Sequence, residues 1–271
     1  MLVDYAMSEH QASLVRGCRV MSISRSSYRY QPDTAKDLPV IKALQQLAET
    51  HPRWGFRLMF DRLRNDGHRW NHKRVHRIYT ELKLNLRRKG KKRLPSRHPQ
   101  PLRVPEQLSQ SWSMDFMSDA LTQGRRFRTL NVIDDCNREA LAIEVDLSLP
   151  AARVTRVLDR LVELHGTPAQ IRMDNGPEFV SITLADWAEK HSVHLEFIQP
   201  GKPTQNSFIE RFNRTYREEL LDCYVFSTIE EVRGLTQQWI TAYNQERPHR
   251  SLGRLTPHEY RAIHQGRVLS N

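Results

Sequence analysis

The spacing of apolar positions changes along the chain, and the changes divide it into segments. From Ser8 to Tyr30 the pattern predicts a short helix, a turn at about Gly17, and a second helix capped by Ser22 or Ser24. A polar joint follows over residues 31–38. Residues 39–86 then carry three helical periodicities. The first presents Val40, Leu44, Leu47 and Ala48 on one face, and the second presents Phe56, Phe60 and Leu63 and stops near Gly67. In the third, Val75, Ile78, Tyr79 and Leu82 fall at i, i+3, i+4 and i+7 behind the candidate N-cap Asn71, while Lys73, Arg74 and Arg77 point elsewhere. This predicts a small all-α, helix-turn-helix-like unit with one basic helix.

From Ser111 the period shortens. SWSMDFMS, FRTLNVIDD and EALAIEVD are β-prone runs separated by turn residues, the first break containing Gly124. Pro150 opens a helix through Leu164 with an apolar stripe of Val154, Val157, Leu158, Leu161 and Val162, ended by Gly166 and Pro168. QIRMD predicts a strand, LADWAEK a helix, HLEFIQ a strand, and a last helix runs from about Thr204 to Leu221. The order β-β-β-α-β-α-β-α implies an α/β fold with a mixed sheet, because strand-helix-strand crossovers place strands parallel. The expected organisation is an N-terminal helical segment over 1–38, the helix-turn-helix unit over 39–86, a basic linker over 87–110, a core over 111–225 and a helical extension over 226–271.

Charge sharpens this picture once it is located. The net charge is +11, yet residues 51–110 hold 17 Lys and Arg against 4 Asp and Glu, so the remainder of the chain is close to neutral. A basic segment beside a neutral domain is the footprint of a polyanion binder. Its linker, rich in proline, carries Arg87, Arg88, Lys91, Lys92 and Arg93, which can track a phosphate backbone. The three cysteines, Cys18, Cys136 and Cys223, are scattered, which argues against a disulfide framework and a zinc ribbon. His72 and His76 stand at i, i+4 without a second ligand pair and read as surface histidines. No apolar run approaches the roughly 18–20 residues of a membrane span, so a soluble cytosolic protein with no membrane partner is expected.

The candidate chemistry lies in three carboxylates, Asp115, Asp174 and Glu210. Spacing alone does not select them: the 36 positions between Asp174 and Glu210 also separate Asp186 from Asp222 and Glu210 from Glu246. Context does. Asp115 falls inside the alternation Trp112, Met114, Phe116; Asp174 ends a strand at an Asp-Asn-Gly-Pro turn; Glu210 sits on a helix. That helix carries Asn206, Asn213, Arg214 and Arg217 near the side of Glu210, leaving Phe208, Ile209, Phe212, Tyr216 and Leu220 to pack elsewhere. If the strands of Asp115 and Asp174 are neighbours, the acids meet and can hold two cations, and oxygen-only ligands favour Mg²⁺ or Mn²⁺. Asp134 and Asp135 end the second strand, where a turn role is the simpler reading.

The segments WSMDF, NVIDD, IRMDNGPEF, QPGKPTQNSFIERFNRTYR and YNQERPHRSLGRLTP resemble the integrase core of bacterial insertion-sequence transposases, specifically the second reading frame of the IS-three family. The resemblance implies an RNase H-like fold, with a five-stranded mixed sheet flanked by helices. It also implies that Asp115, Asp174 and Glu210 form the metal-binding catalytic triad, with Arg217 at the basic position after the glutamate. The implied reaction is cleavage at element ends to expose a 3′ hydroxyl, followed by its attack on another phosphodiester. Implied partners are element-end and target DNA, further copies of the chain, and the upstream-frame protein, since residues 1–38 lack the leucine-zipper frame that normally precedes such cores. On this expectation the chain is one part of a longer fusion product. A hydrolytic RNase H-type nuclease and a DNA-binding regulator with an inactive core are the competing readings.

Overall fold

The computed structural model describes residues 2–29, 34–86, 102, 104–199 and 206–269. They divide into two units, residues 1–45 and 46–271. The first holds α1 (Leu2–His10), α2 (Leu14–Val20) and α3 (Arg25–Arg29), and α4 (Leu38–Thr50) runs across the boundary. The turn expected at Gly17 is absent: Gly17 lies inside α2. A β-carbon there would sit 3.3 Å from Val3 Cγ1, so glycine serves the close approach of α1 and α2 rather than a chain reversal. The reversals fall instead at Gln11 (φ 48°) and Ser22 (φ 52°), and of the two serines considered as caps Ser24 is the one used, its Oγ accepting from Ser27 N at 3.0 Å.

The second unit opens with the helix-turn-helix pair α5 (Phe56–Asn65) and α6 (His72–Glu81). The chain leaves α5 through Gly67 at φ 88°, and Asn71 caps α6 by accepting from Lys73 N at 2.8 Å. Met59, Phe60, Leu63, Val75, Ile78 and Tyr79 are buried between and around them, whereas His72, Lys73, His76 and Arg77 are exposed.

Five strands follow in the spatial order β3-β2-β1-β4-β5. They are β1 (Ser111–Ala120), β2 (Arg126–Asp134), β3 (Ala140–Asp146), β4 (Gln170–Met173) and β5 (His194–Phe197). The β1–β2 and β2–β3 pairs are antiparallel, and β1–β4 and β4–β5 are parallel, as crossovers through α7 (Ala151–His165) and α8 (Ile182–His191) require. This is the RNase H-like mixed sheet expected from the sequence. One face packs Trp112, Met114, Leu130, Val132, Ile171 and Met173 against α7 and α8. Burying each large side chain of this kind contributes roughly 1.5–3 kcal/mol. The other face receives α9 (Ser207–Glu219) and α10 (Ile229–Gln245): Ile133 and Ala140 pack on Ile209, Phe212 and Tyr243, while Phe127 and Val145 pack on Tyr216, Leu220 and Val232. The expected helix start at Thr204 lies outside the described residues.

The chain ends in α11 (Pro257–Leu269). The segment joining α10 to α11 also holds the helix-turn-helix pair. Arg62 Nη1 donates to the carbonyls of Gln245 and Glu246 at 3.4 Å each, Asn65 Nδ2 donates to Arg254 O at 3.0 Å, and His51 meets Glu246 at 3.1 Å. The C-terminal extension thus holds α5 through Arg62 and Asn65. Among the described residues no helix is long and apolar enough to cross a membrane.

Candidate active site

The parallel pairing of β1 with β4 sets the site. Ser113 is opposite Arg172, so two residues further along each chain, on the same face, stand Asp115, midway along β1, and Asp174, just past the carboxyl end of β4. Asp115 is half-buried, and both its oxygens are held: Oδ1 accepts from Phe116 N and Oδ2 from Asn213 Nδ2, each at 2.8 Å. Burial pushes its carboxyl up to about 6, the Phe116 amide opposes that, and the charges of Asp174 and Glu210 raise it further.

Asp174 leaves β4 directly into its turn, and its Oδ1 accepts from Gly176 N at 3.0 Å. A β-carbon at Gly176 would lie 3.1 Å from that oxygen, which explains a glycine here without any special φ. Asn175 Nδ2 donates to Ile198 O at 2.9 Å and ties the turn to the end of β5. Glu210 is exposed on the first turn of α9, within electrostatic range of Asp115. Among the described residues no three His, Cys, Asp or Glu side chains are grouped closely enough to hold an ion as they stand. The charges of Asp174 and Glu210 both reach Asp115, but the three acids do not form a closed ligand set.

Asn213 fixes how α9 lies on the sheet. Besides donating to Asp115, its Oδ1 accepts from Asn131 Nδ2 at 2.7 Å, so β1, β2 and α9 are joined by one amide. The position lies one turn beyond Glu210 and on its side, the signal by which sequence alone could have given it a role. A second polar cluster lies one step earlier in the register. Arg172, 7% exposed, pairs with Asp135 at 3.1 Å and Glu196 at 3.0 Å, and Asp135 also accepts from Ser111 and Ser113 at 3.0 and 2.6 Å. Burial raises the Asp135 carboxyl, and Ser113, Arg172 and Ser111 pull it back. Asp135 is thus a buried anchor under the acidic pair. Asp134 takes the turn role, accepting from Ser109 N and Cys136 N at 2.7 Å each.

The basic residues divide three ways. Lys73 is exposed on α6, Arg77 pairs with Glu81 at 2.9 Å, and Arg74 is half-buried. On α9, Arg214 is exposed, whereas Arg217 donates to Asp119 at 3.1 Å and to Ser118 O at 3.0 Å. Asn206, expected to face DNA, is buried at 3% exposure at the N-cap of α9, and among the described residues its Oδ1 has no partner. Arg87, Arg88, Lys91, Lys92 and Arg93 lie outside the described residues. His72 and His76 are exposed, as expected, and their rings stand T-shaped to that of Phe56.

Comparison with known proteins places the chain in a family. Models described as "Integrase core domain" match residues 105–203 and 191–257, and one described as "HTH-like domain" matches residues 34–92. The insertion element IS407 31.7 kDa protein of Burkholderia multivorans is 39% identical over 250 residues, spanning 92% of this chain and 90% of that protein. The chain belongs to the IS-three family of insertion-sequence transposases. Its similarity extends to the insertion element IS476 39.2 kDa protein of Xanthomonas euvesicatoria, 37% identical over 94% of this chain and 74% of that protein. It extends also to InsK, the transposase assigned to element IS150 of Escherichia coli, at 25% identity over 90% of this chain and 91% of that protein. Membership makes the chain an integrase-core protein, an enzyme of the polynucleotidyl transferase kind with a transposase or integrase function.

Proposed function

We propose that Asp115, Asp174 and Glu210 are the catalytic carboxylates of this transposase, and that they hold two Mg²⁺ or Mn²⁺ ions while element ends are cut and joined. The observation that carries the reading is the β1–β4 register, which brings Asp115 and Asp174 side by side while Asn213 binds the helix of Glu210 to Asp115. The donors are all carboxylate oxygens, which suits a hard divalent ion, and the half-buried Asp115 gains from a nearby cation. Ions bound there would activate the attacking water or 3′ hydroxyl and stabilise the leaving oxygen.

The chain's own groups divide the remaining work. Asn213 and the Phe116 amide orient the two oxygens of Asp115, and the Gly176 amide orients Asp174. Arg214 is exposed on the Glu210 helix and is suited to a phosphate; Arg217 would have to exchange Asp119 for one. Lys73, Arg74 and Arg77 on α6, with the basic linker, would grip element ends, and further copies of the chain would pair two ends. The upstream-frame protein is a candidate partner in that assembly.

The test is strand transfer of labelled element ends with Mg²⁺ or Mn²⁺. Joined products are expected from the native chain, and none from Asp174→Asn. Joining by Asp174→Asn at the native rate would refute the metal role. Cleavage without joined products would assign a hydrolytic nuclease instead, and tight end binding without cutting would assign a regulator.

A further inference from the structure

On the opposite face of the sheet, behind the acids, a stack of three side chains ties their two supporting segments together. Arg128 on β2 places its guanidinium 4.4 Å from the centre of the Phe116 ring. Phe116 in turn stacks on Phe179, with centroids 4.7 Å apart and planes 20° from parallel. Arg128 Nη1 also donates to Glu178 Oε1, and the two side chains are 31% and 21% exposed, so water screens the pair less than it screens an ordinary surface bridge. Phe179 itself is 1% exposed.

Each ring leads by one or two hydrogen bonds to a proposed catalytic oxygen. Phe116 donates its amide to Asp115 Oδ1 at 2.8 Å. Phe179 donates its amide to Gly176 O at 2.9 Å, and Gly176 donates its own amide to Asp174 Oδ1 at 3.0 Å. The turn carrying Asp174 is further held by Asn175 Nδ2 donating to Ile198 O and by Val180 N donating to Gly176 O, each at 2.9 Å. A carboxylate on a turn loses positional precision when the turn can rock, and the misplacement of a reacting group by about 1 Å can cost on the order of 100-fold.

We propose that Arg128 and Glu178 are positioning residues: their pair locks the turn after β4 onto Phe116, and thereby sets Asp174 against Asp115 for metal binding. The inference rests on the triad reading above. It assigns Glu178 to holding the turn, and it gives a strand position remote from the acids, Arg128, a share in their geometry.

The experiment is a double-mutant cycle of Arg128→Met and Glu178→Gln in the full chain, with Mn²⁺ affinity measured by calorimetry on the DNA-free protein and strand transfer measured at saturating DNA. Each single variant is expected to weaken Mn²⁺ binding about tenfold and to lower joining by a similar factor, with end-DNA affinity and melting temperature held. The double variant is expected to be no worse than the weaker single, since one pair is broken in all three. Glu178→Gln is nearly isosteric at a partly exposed position, so it reports even if Arg128→Met lowers the melting temperature. Native Mn²⁺ affinity in Glu178→Gln, or additive losses in the double variant, would overturn the proposal. Asp174→Asn run alongside separates the two levels: its joining at the native rate defeats the triad reading, whereas its inactivity beside native behaviour of Glu178→Gln defeats the clamp alone.

Discussion

Replacing Asp115 by Asn should stabilise the metal-free protein at neutral pH while abolishing activity. Burial holds the Asp115 carboxyl at about 6 against an ordinary value of 3.8. A folded value above the unfolded one means that the stabilising contribution is complete below pH 3.8 and is lost as pH rises through 6. With about 1.4 kcal/mol for each pH unit between those two values, the full loss is roughly 3 kcal/mol, of which about 2 kcal/mol falls between pH 4.5 and 7.5. Asn carries no charge to desolvate, but it cannot accept from both Phe116 N and Asn213 Nδ2, which costs about 1 kcal/mol. Asp115→Asn is therefore expected to match the native chain in stability at pH 4.5 and to be more stable by about 2 kcal/mol at pH 7.5. Urea unfolding in chelator at both pH values measures this, and the difference removes Asp134, also pushed up to about 6, because it is common to both proteins. Saturating Mg²⁺ should raise the stability of the native chain and leave the variant unchanged. A stability difference that is the same at both pH values would refute the reasoning.

Three further outcomes follow from the geometry. Asn213→Ala removes the amide joining α9 to Asp115 and Asn131, and is expected to lower joining at least tenfold and stability by about 1–3 kcal/mol, read by strand transfer and urea unfolding. Arg172→Met leaves Asp135 buried without its cation, and is expected to cost about 3–5 kcal/mol in the same unfolding assay; a loss below about 1 kcal/mol would show that the pair is not an anchor. Neutralising Arg74 and Arg77 together should weaken end binding and reduce the slope of log affinity against log salt by about 2, and an unchanged slope would remove both residues from the phosphate interface.

What was legible in the sequence was local. The stripe of α6 and its Asn71 cap, the Pro150 start and Gly166 end of α7, and the strand-ending turn after Asp174 each follow from neighbours a few residues away. Local signals also mislead where packing decides: Gly17 reads as a breaker by itself but lies inside a helix because α1 crosses there. Long-range pairs were the least legible. Arg172 and Asp135 are 37 residues apart in sequence and meet through the β1–β4 register, and Arg128 meets Glu178 across 50 residues. Helical spacing put Arg217 on the Glu210 side, but it could not show that Asp119 on β1 holds its guanidinium. The same spacing placed Asn206 with them, but it is buried at the N-cap of α9.

The triad is tested most directly by Glu210→Gln, because Glu210 is exposed and its loss leaves the buried network untouched. Strand transfer and end binding are measured in parallel with Mg²⁺. The account predicts native end binding with joined product reduced at least a thousandfold, on the order of losing a group that acts in the transition state. Joined product at the native level, with native end binding, would contradict it.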